Sequence, residues 1–270
     1  MTEPLNFQGI NKRIDLSDLT KDDFESIAAS ATATAEIDIA ETFDLEAGEY
    51  TVSAEGVLPF SNHERTGVSG VIPYKSNSIS ITVTKPTSAS SILNRRATLM
   101  ESSCSPEHKA IVQAALKRAA SAASAAAKAA RIGDARLFEY LFRTSDKSVR
   151  QQVAARFDAI AREAAAGTNG TVNYDCGDHL GACGKGVLAY AMQAGNMVVN
   201  CPSYYKIMAA SPNCGGKDQG LVAIHEMSHL KAVFTPAAGD YAYGYNACIA
   251  LDKEKAIMNA DTHLYYAGGE

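Results

Sequence analysis

The chain has 270 residues, 46% of them hydrophobic, enough to bury one large core or two small ones. No apolar run approaches the roughly 18 residues that a bilayer span requires, so the sequence excludes a membrane-spanning helix. The net charge of −5 is unevenly divided. Up to Arg96 there are 8 basic and 14 acidic residues, and beyond it 17 basic and 16 acidic. No basic cluster is dense enough for nucleic acid.

The cysteines set the compartment. All six lie at or after Cys104 and none forms a CxxC pair, so the even count reads as three disulfides in a secreted protein. The opening MTEPLNFQGINKR is polar and lacks the apolar core of a signal peptide. The N-terminus is therefore expected to be incomplete.

Residues 1 to about 86 read as β-rich. GEYTVSAEGVLPF, GVSGVIPY and NSISITVTKP alternate apolar and polar residues between Gly, Asn and Pro breakers, which predicts a small sandwich-like unit. PTSASSILNRR then forms a linker that ends in the dibasic pair Arg95-Arg96, a suitable cut site for a kexin-like processing protease. The boundary is set there, with residues 1–96 as one unit and 97–270 as the other.

A helical block follows. Ser105-Pro106-Glu107 supplies an N-cap, a first-turn proline and a first-turn acid for an alanine-rich helix to about Arg131, stopped by Gly133. A short helix over Leu137–Phe142 comes next. A third runs from Ser145 to Gly167, with Val149, Val153, Phe157 and Ile160 at helical spacing. Asn169-Gly170-Thr171 is a glycosylation sequon. TVNYDC, GVLAYAM and NMVVNC read as short strands.

The chemistry is concentrated in DQGLVAIHEMSHLK. His225 and His229 stand four residues apart, so on a helix both imidazoles share one face and reach one metal ion. Glu226 between them is placed to take a proton from an attacking water. Two histidines are not a complete set, because a catalytic zinc takes three protein ligands and keeps one open position. No third histidine follows at the usual spacing, since Thr235 stands there.

HEMSH followed by GDYAYGY and NADTHLYYA resembles the deuterolysin family of fungal zinc endopeptidases. The resemblance covers nearly the whole chain. It implies an α+β fold, a mainly helical zincin-like domain with a small sheet, preceded by a β-rich propeptide over residues 1–96. It implies one zinc per chain, with Asp240 as the third ligand beside His225 and His229. Glu226 would be the general base, and Tyr243 the donor to the oxyanion. Asp240 to Gly244 keep the DxxYG half of the family motif, whereas Ala237 and Ala238 stand where its Gly-Thr half belongs. Asp261 would line the substrate cleft and favour basic residues; the second acid of lysine-selective relatives is replaced by Leu264. The family pattern implies the disulfides Cys104–Cys176 and Cys183–Cys201, leaving Cys214 and Cys248 as the remaining pair.

The expectation is a secreted, monomeric zinc endopeptidase made as a zymogen and acting on proteins or peptides, basic ones above all. Residues 1–96 contain no cysteine to ligate zinc, and His63 falls in a polar stretch, so latency is expected to come from steric occlusion of the cleft. The altered Gly-Thr half leaves one competing reading, a catalytically degenerate secreted binding protein on the same scaffold. A purely structural zinc would call for four protein ligands, which this motif does not offer.

Overall fold

The computed structural model describes residues 6–62, 64, 67–87, 104–213 and 216–269. Arg95, Arg96, His63 and Cys214 lie outside them. Helices and sheet are mixed, as expected for an α+β chain.

The strands expected before residue 87 form, but they do not make a sandwich. β1 (Asn6–Phe7) pairs with β3 (Phe43–Asp44), β4 (Gly48–Val52) with β7 (Ile79–Val83), and β5 (Glu55–Ser61) with β6 (Val68–Lys75), each as a separate antiparallel ribbon. The alternation in these strands is genuine, yet their apolar faces are not brought together. Leu58, Ile72 and Ile79 are each more than half exposed, and Leu45 is the one buried hydrophobic residue among the described residues of this region. Two-stranded ribbons are marginal on their own in water. This region therefore leans on the remainder of the chain, with Val57 packed against Ala242, Leu251 and Ala256.

The strongest such attachment is β2 (Ile10–Ile14). It joins a four-stranded sheet in the order β2-β9-β10-β8, where β8 is Asn173–Asp175, β9 Val187–Met192 and β10 Met197–Asn200. All six residues of β9 are buried.

The helices follow their local signals closely. In α1 (Pro106–Ile132) the Ser105 hydroxyl accepts from the His108 amide at 3.1 Å, and Gly133 ends the helix. α2 is Ala135–Phe142 and α3 Lys147–Ala166. Ala119, Ala123, Ala126 and Ala130 of α1 are fully buried in one core with Val153, Phe157 and Ile160 of α3. Side chains this small let the two helices approach closely while still excluding water.

α4 (Gln219–Ser228) lies between α1, the sheet and the last helix, α7, and every one of its residues is buried. Asp218 caps it: one carboxylate oxygen accepts from the Leu221 amide at 2.8 Å, and the other meets Arg118 of α1 at 3.2 Å. Gly220 is required by close approach, since a Cβ there would sit 2.3 Å from Cγ of Arg118 and 3.1 Å from the Ala119 nitrogen. α5 (Tyr245–Cys248), α6 (Lys253–Ile257) and α7 (Ala260–Gly269) complete the chain.

Two of the three expected disulfides are present. Cys104–Cys176 ties the start of α1 to the end of β8 across 72 residues, worth about 4 kcal/mol in the chain-entropy model. Cys183–Cys201 spans β9 and β10. The expected Cys214–Cys248 bridge is corrected: Cys248 is a free, buried thiol. Its sulfur lies 3.3 Å from Nδ2 of Asn259 and 3.8 Å from the Ala242 carbonyl, packed into the loop that carries the site. An even cysteine count does not require every cysteine to pair.

Arg156 is a polar exception in the core. It lies on the apolar face of α3 and is 1% exposed. Its two terminal nitrogens donate to the carbonyls of Ser228 (3.2 Å) and Pro236 (2.8 Å). Burial lowers its pKa to about 10, so it stays charged at neutral pH. It therefore places a cation at the C-terminal end of α4, where helix carbonyls have no helical partner. Arg156→Ala should cost on the order of 3 kcal/mol, because the buried Ser228 carbonyl and the partly buried Pro236 carbonyl lose a charged donor. The check is a lower urea midpoint at an unchanged slope. A change within about 0.5 kcal/mol, typical of a surface site, would remove Arg156 from this structural role.

Candidate active site

The site forms at the C-terminal end of α4. His225 lies in the last turn and His229 is the capping residue, still in helical conformation. The 3.6-residue period brings the imidazoles to the same side, with their Nε2 atoms 3.1 Å apart. The chain then loops back and delivers Asp240. Its two oxygens lie 3.3 Å from Nε2 of His225 and 3.4 Å from Nε2 of His229.

These three side chains fit a divalent metal. Ligands at about 2.0–2.1 Å from a tetrahedral zinc stand about 3.3 Å from one another; here each histidine meets a different Asp240 oxygen at that range, and one ligand atom from each residue lies within 4.8 Å of the others. Each histidine also has its other ring nitrogen engaged. Nδ1 of His229 is 2.9 Å from the Ala238 carbonyl, and Nδ1 of His225 is 2.8 Å from Oδ1 of Asp261. Both contacts place the proton on Nδ1 and leave the Nε2 lone pair facing the common point. Burial pushes the Asp240 carboxyl up, but the imidazoles of His229 and His225 outweigh it and hold the group ionised below its usual range.

Glu226 projects beside this cluster. It is fully buried, and neither carboxylate oxygen has a hydrogen-bond partner among the described residues. Burial pushes its pKa up to about 8. A buried acid with both oxygens unsatisfied is costly to keep for structure alone.

Tyr243 closes the opposite side. Its ring stacks near that of His225, with centroids 6.4 Å apart. Burial raises the phenol well above its ordinary pKa, so it remains a donor, and its hydroxyl donates to the Lys12 carbonyl at 2.6 Å.

The loop holding Asp240 and Tyr243 is organised from the start of α7. Asn259 accepts from the amides of Tyr241 (2.8 Å) and Ala242 (3.0 Å) and donates to the Ala242 carbonyl (3.1 Å). The Gly239 carbonyl accepts from the Ala260 amide at 2.9 Å. Gly244 sits at φ +86°, a region open mainly to glycine, and its amide donates to Oδ2 of Asp261 at 2.8 Å. Asp261 is 0% exposed. It therefore supports His225 through one oxygen and the Gly244 turn through the other. That first oxygen also meets Nε of Arg13, from β2, at 2.9 Å.

The structure thus brings His225, Glu226, His229, Asp240, Tyr243 and Asp261 together. Asn259, Arg156, Lys12 and Arg13 join them without having been singled out. Arg156 carried one signal, a charge on the Val149-Val153-Phe157-Ile160 stripe; INKRI offered only a dibasic pair in an acidic region.

The model of the deuterolysin metalloprotease (M35) family matches residues 1–269. A neutral protease 2 homolog of Blastomyces gilchristii is 42% identical over 97% of this chain and 74% of its own length. A probable neutral protease 2 homolog of Arthroderma benhamiae is 36% identical over 98% and 78%, respectively. Among solved structures, a zinc peptidase from Grifola frondosa shares the fold at a TM-score of 0.51 and 22% identity, covering 61% of this chain and 96% of that one. The chain belongs to the deuterolysin metalloprotease family.

The contacts of Asp261 with His225 and the Gly244 amide make it a positioning residue. Asp261→Asn should lower metal affinity about 10–100-fold, the usual penalty for losing a carboxylate behind a ligating histidine. Competition against a chelating dye measures it, and unchanged affinity would dissociate Asp261 from the metal site.

Proposed function

We propose that the chain is the precursor of a secreted zinc endopeptidase, with His225, His229 and Asp240 holding one zinc. The observation that carries this reading is the convergence of those three donors, one ligand atom each within 4.8 Å of one another, beside a buried carboxylate whose oxygens have no hydrogen-bond partner among the described residues. When bound there, zinc supplies the positive charge that polarises a scissile carbonyl and makes water a better nucleophile.

The residues divide the remaining work. Glu226 takes a proton from the attacking water and delivers it to the departing amine. Tyr243 donates to the substrate carbonyl oxygen, where negative charge grows as the carbon becomes tetrahedral. Asp261 favours a basic side chain beside the cut, which gives the enzyme its preference for basic proteins. Supporting this is the guanidinium of Arg13, which already lies against Asp261.

Residues 1–96 act as an inhibitory propeptide, removed after Arg96 by a kexin-like protease to release a monomeric 97–270 enzyme. Two disulfides and an exposed sequon asparagine, Asn169, support an extracellular setting. The degenerate binding protein is disfavoured because the base and the tyrosine keep their places around the donor set.

After processing at Arg96, the enzyme should digest casein, and a chelator should abolish the digestion. Glu226→Gln should retain zinc and lose nearly all activity, because the ligands remain while water activation fails. Asp240→Ala should lose both. Full zinc content and full activity in Asp240→Ala would refute the ligand assignment.

A further inference from the structure

Strand β2 lies on β9 antiparallel, pairing Asn11 with Ala191, Lys12 with Tyr190 and Arg13 with Ala189, with an irregularity between Arg13 and Ile14. Adding an extended segment to a sheet edge is a general mode of peptide recognition, in which main-chain bonds hold the backbone and pockets read alternate side chains. Here both parts are present. The Lys12 carbonyl accepts from the Tyr243 hydroxyl, the donor assigned to a substrate carbonyl. The next side chain, Arg13, is 2% exposed, and its guanidinium meets Asp261, the cleft acid. The Lys12 carbonyl therefore faces Tyr243, and the side chain that follows it reaches the carboxylate behind His225.

The segment is also tied beyond this bond. The Asp15 amide donates to the Gly186 carbonyl at 2.7 Å, and the Asp15 carboxylate pairs with Lys217. Lys185 meets Asp23 at 3.3 Å. The backbone is thus fixed on the far side of the Lys12–Arg13 bond, in the chain direction that presents a carbonyl to Tyr243 and a basic residue to Asp261. A merely obstructive segment needs neither match.

We propose that this chain cuts itself between Lys12 and Arg13, the bond its own strand presents to the catalytic groups as a substrate would. The inference rests on the endopeptidase reading above. Water adds to the Lys12 carbonyl carbon, and Glu226 accepts its proton. The bond to the Arg13 nitrogen breaks, and Glu226 returns the proton to that nitrogen. The products are a carboxylate at Lys12 and a new amino terminus at Arg13. Residues 1–12 are then joined to the chain only by non-covalent contacts, and the strand that fills the cleft is severed within it.

The test uses the full chain, prepared in chelator and then given one equivalent of zinc. Intact mass and N-terminal sequencing should show a product that begins at Arg13, formed at a rate independent of chain concentration. Glu226→Gln should stay intact. Arg13→Ala should slow the cut at least about tenfold, as expected for removing one partner of a buried charge pair, while Arg13→Lys keeps it. Without metal, the amides of residues 10–14 should be protected from hydrogen exchange, and Arg13→Ala should reduce that protection at least about tenfold. A chain that digests casein after processing but never yields an Arg13 terminus would overturn this inference and leave the endopeptidase reading standing. A rate that rises with chain concentration, or unchanged exchange in Arg13→Ala, would overturn it as well. Failure to cut either casein or Lys12–Arg13 would remove both readings.

Discussion

The whole site hangs on where helix α4 ends. A helix buried on every side can be placed only by contacts at its two ends and by its neighbours' shapes. At the N-terminal end, Asp218 caps the helix and pairs with Arg118, and Gly220 lets it lie against α1. At the other end, Arg156 reaches across from α3 to the Ser228 and Pro236 carbonyls. The two imidazoles are displayed within that last turn, so a shift of the helix end would move both relative to Asp240. Long charged side chains here set position rather than solubility.

The second layer comes from the start of α7. Asn259 and Asp261 are two residues apart and divide the loop between them. Asn259 folds the turn after Asp240, while Asp261 holds both the His225 ring and the Gly244 backbone. One short stretch thus aligns a ligand loop, a ligand ring and the tyrosine between them. The free Cys248 packs against the same asparagine, which is why it serves the loop as a small buried side chain rather than as half of a bridge.

How much of this the sequence discloses depends on the range of the interaction. Helix caps are local, and Ser105, Gly133 and the strands around Tyr190 and Val198 are read directly. The histidine pair is local too, because four residues fix its geometry. Asp240 is recoverable only through family resemblance, since nothing in its immediate spacing marks it as a ligand. Strand pairing is hardest. Alternation shows that residues 48–83 form strands but not that they stay in separate ribbons, and nothing in INKRI announces a partner strand far along the chain. Asn259 is silent for the same reason: a polar residue that satisfies distant backbone groups resembles any other asparagine.

The position of β2 also bears on how the chain folds without aggregating. β9 reads VLAYAM, six buried residues without a charge or a proline, and β2 occupies its outer edge. Left uncovered, such a strand offers a row of free backbone donors and acceptors to any neighbouring chain, the template from which intermolecular sheets grow. Covering it with the chain's own strand shields it while partly folded molecules are crowded together; in the proposed maturation, removal of that cover would open the edge to other peptides.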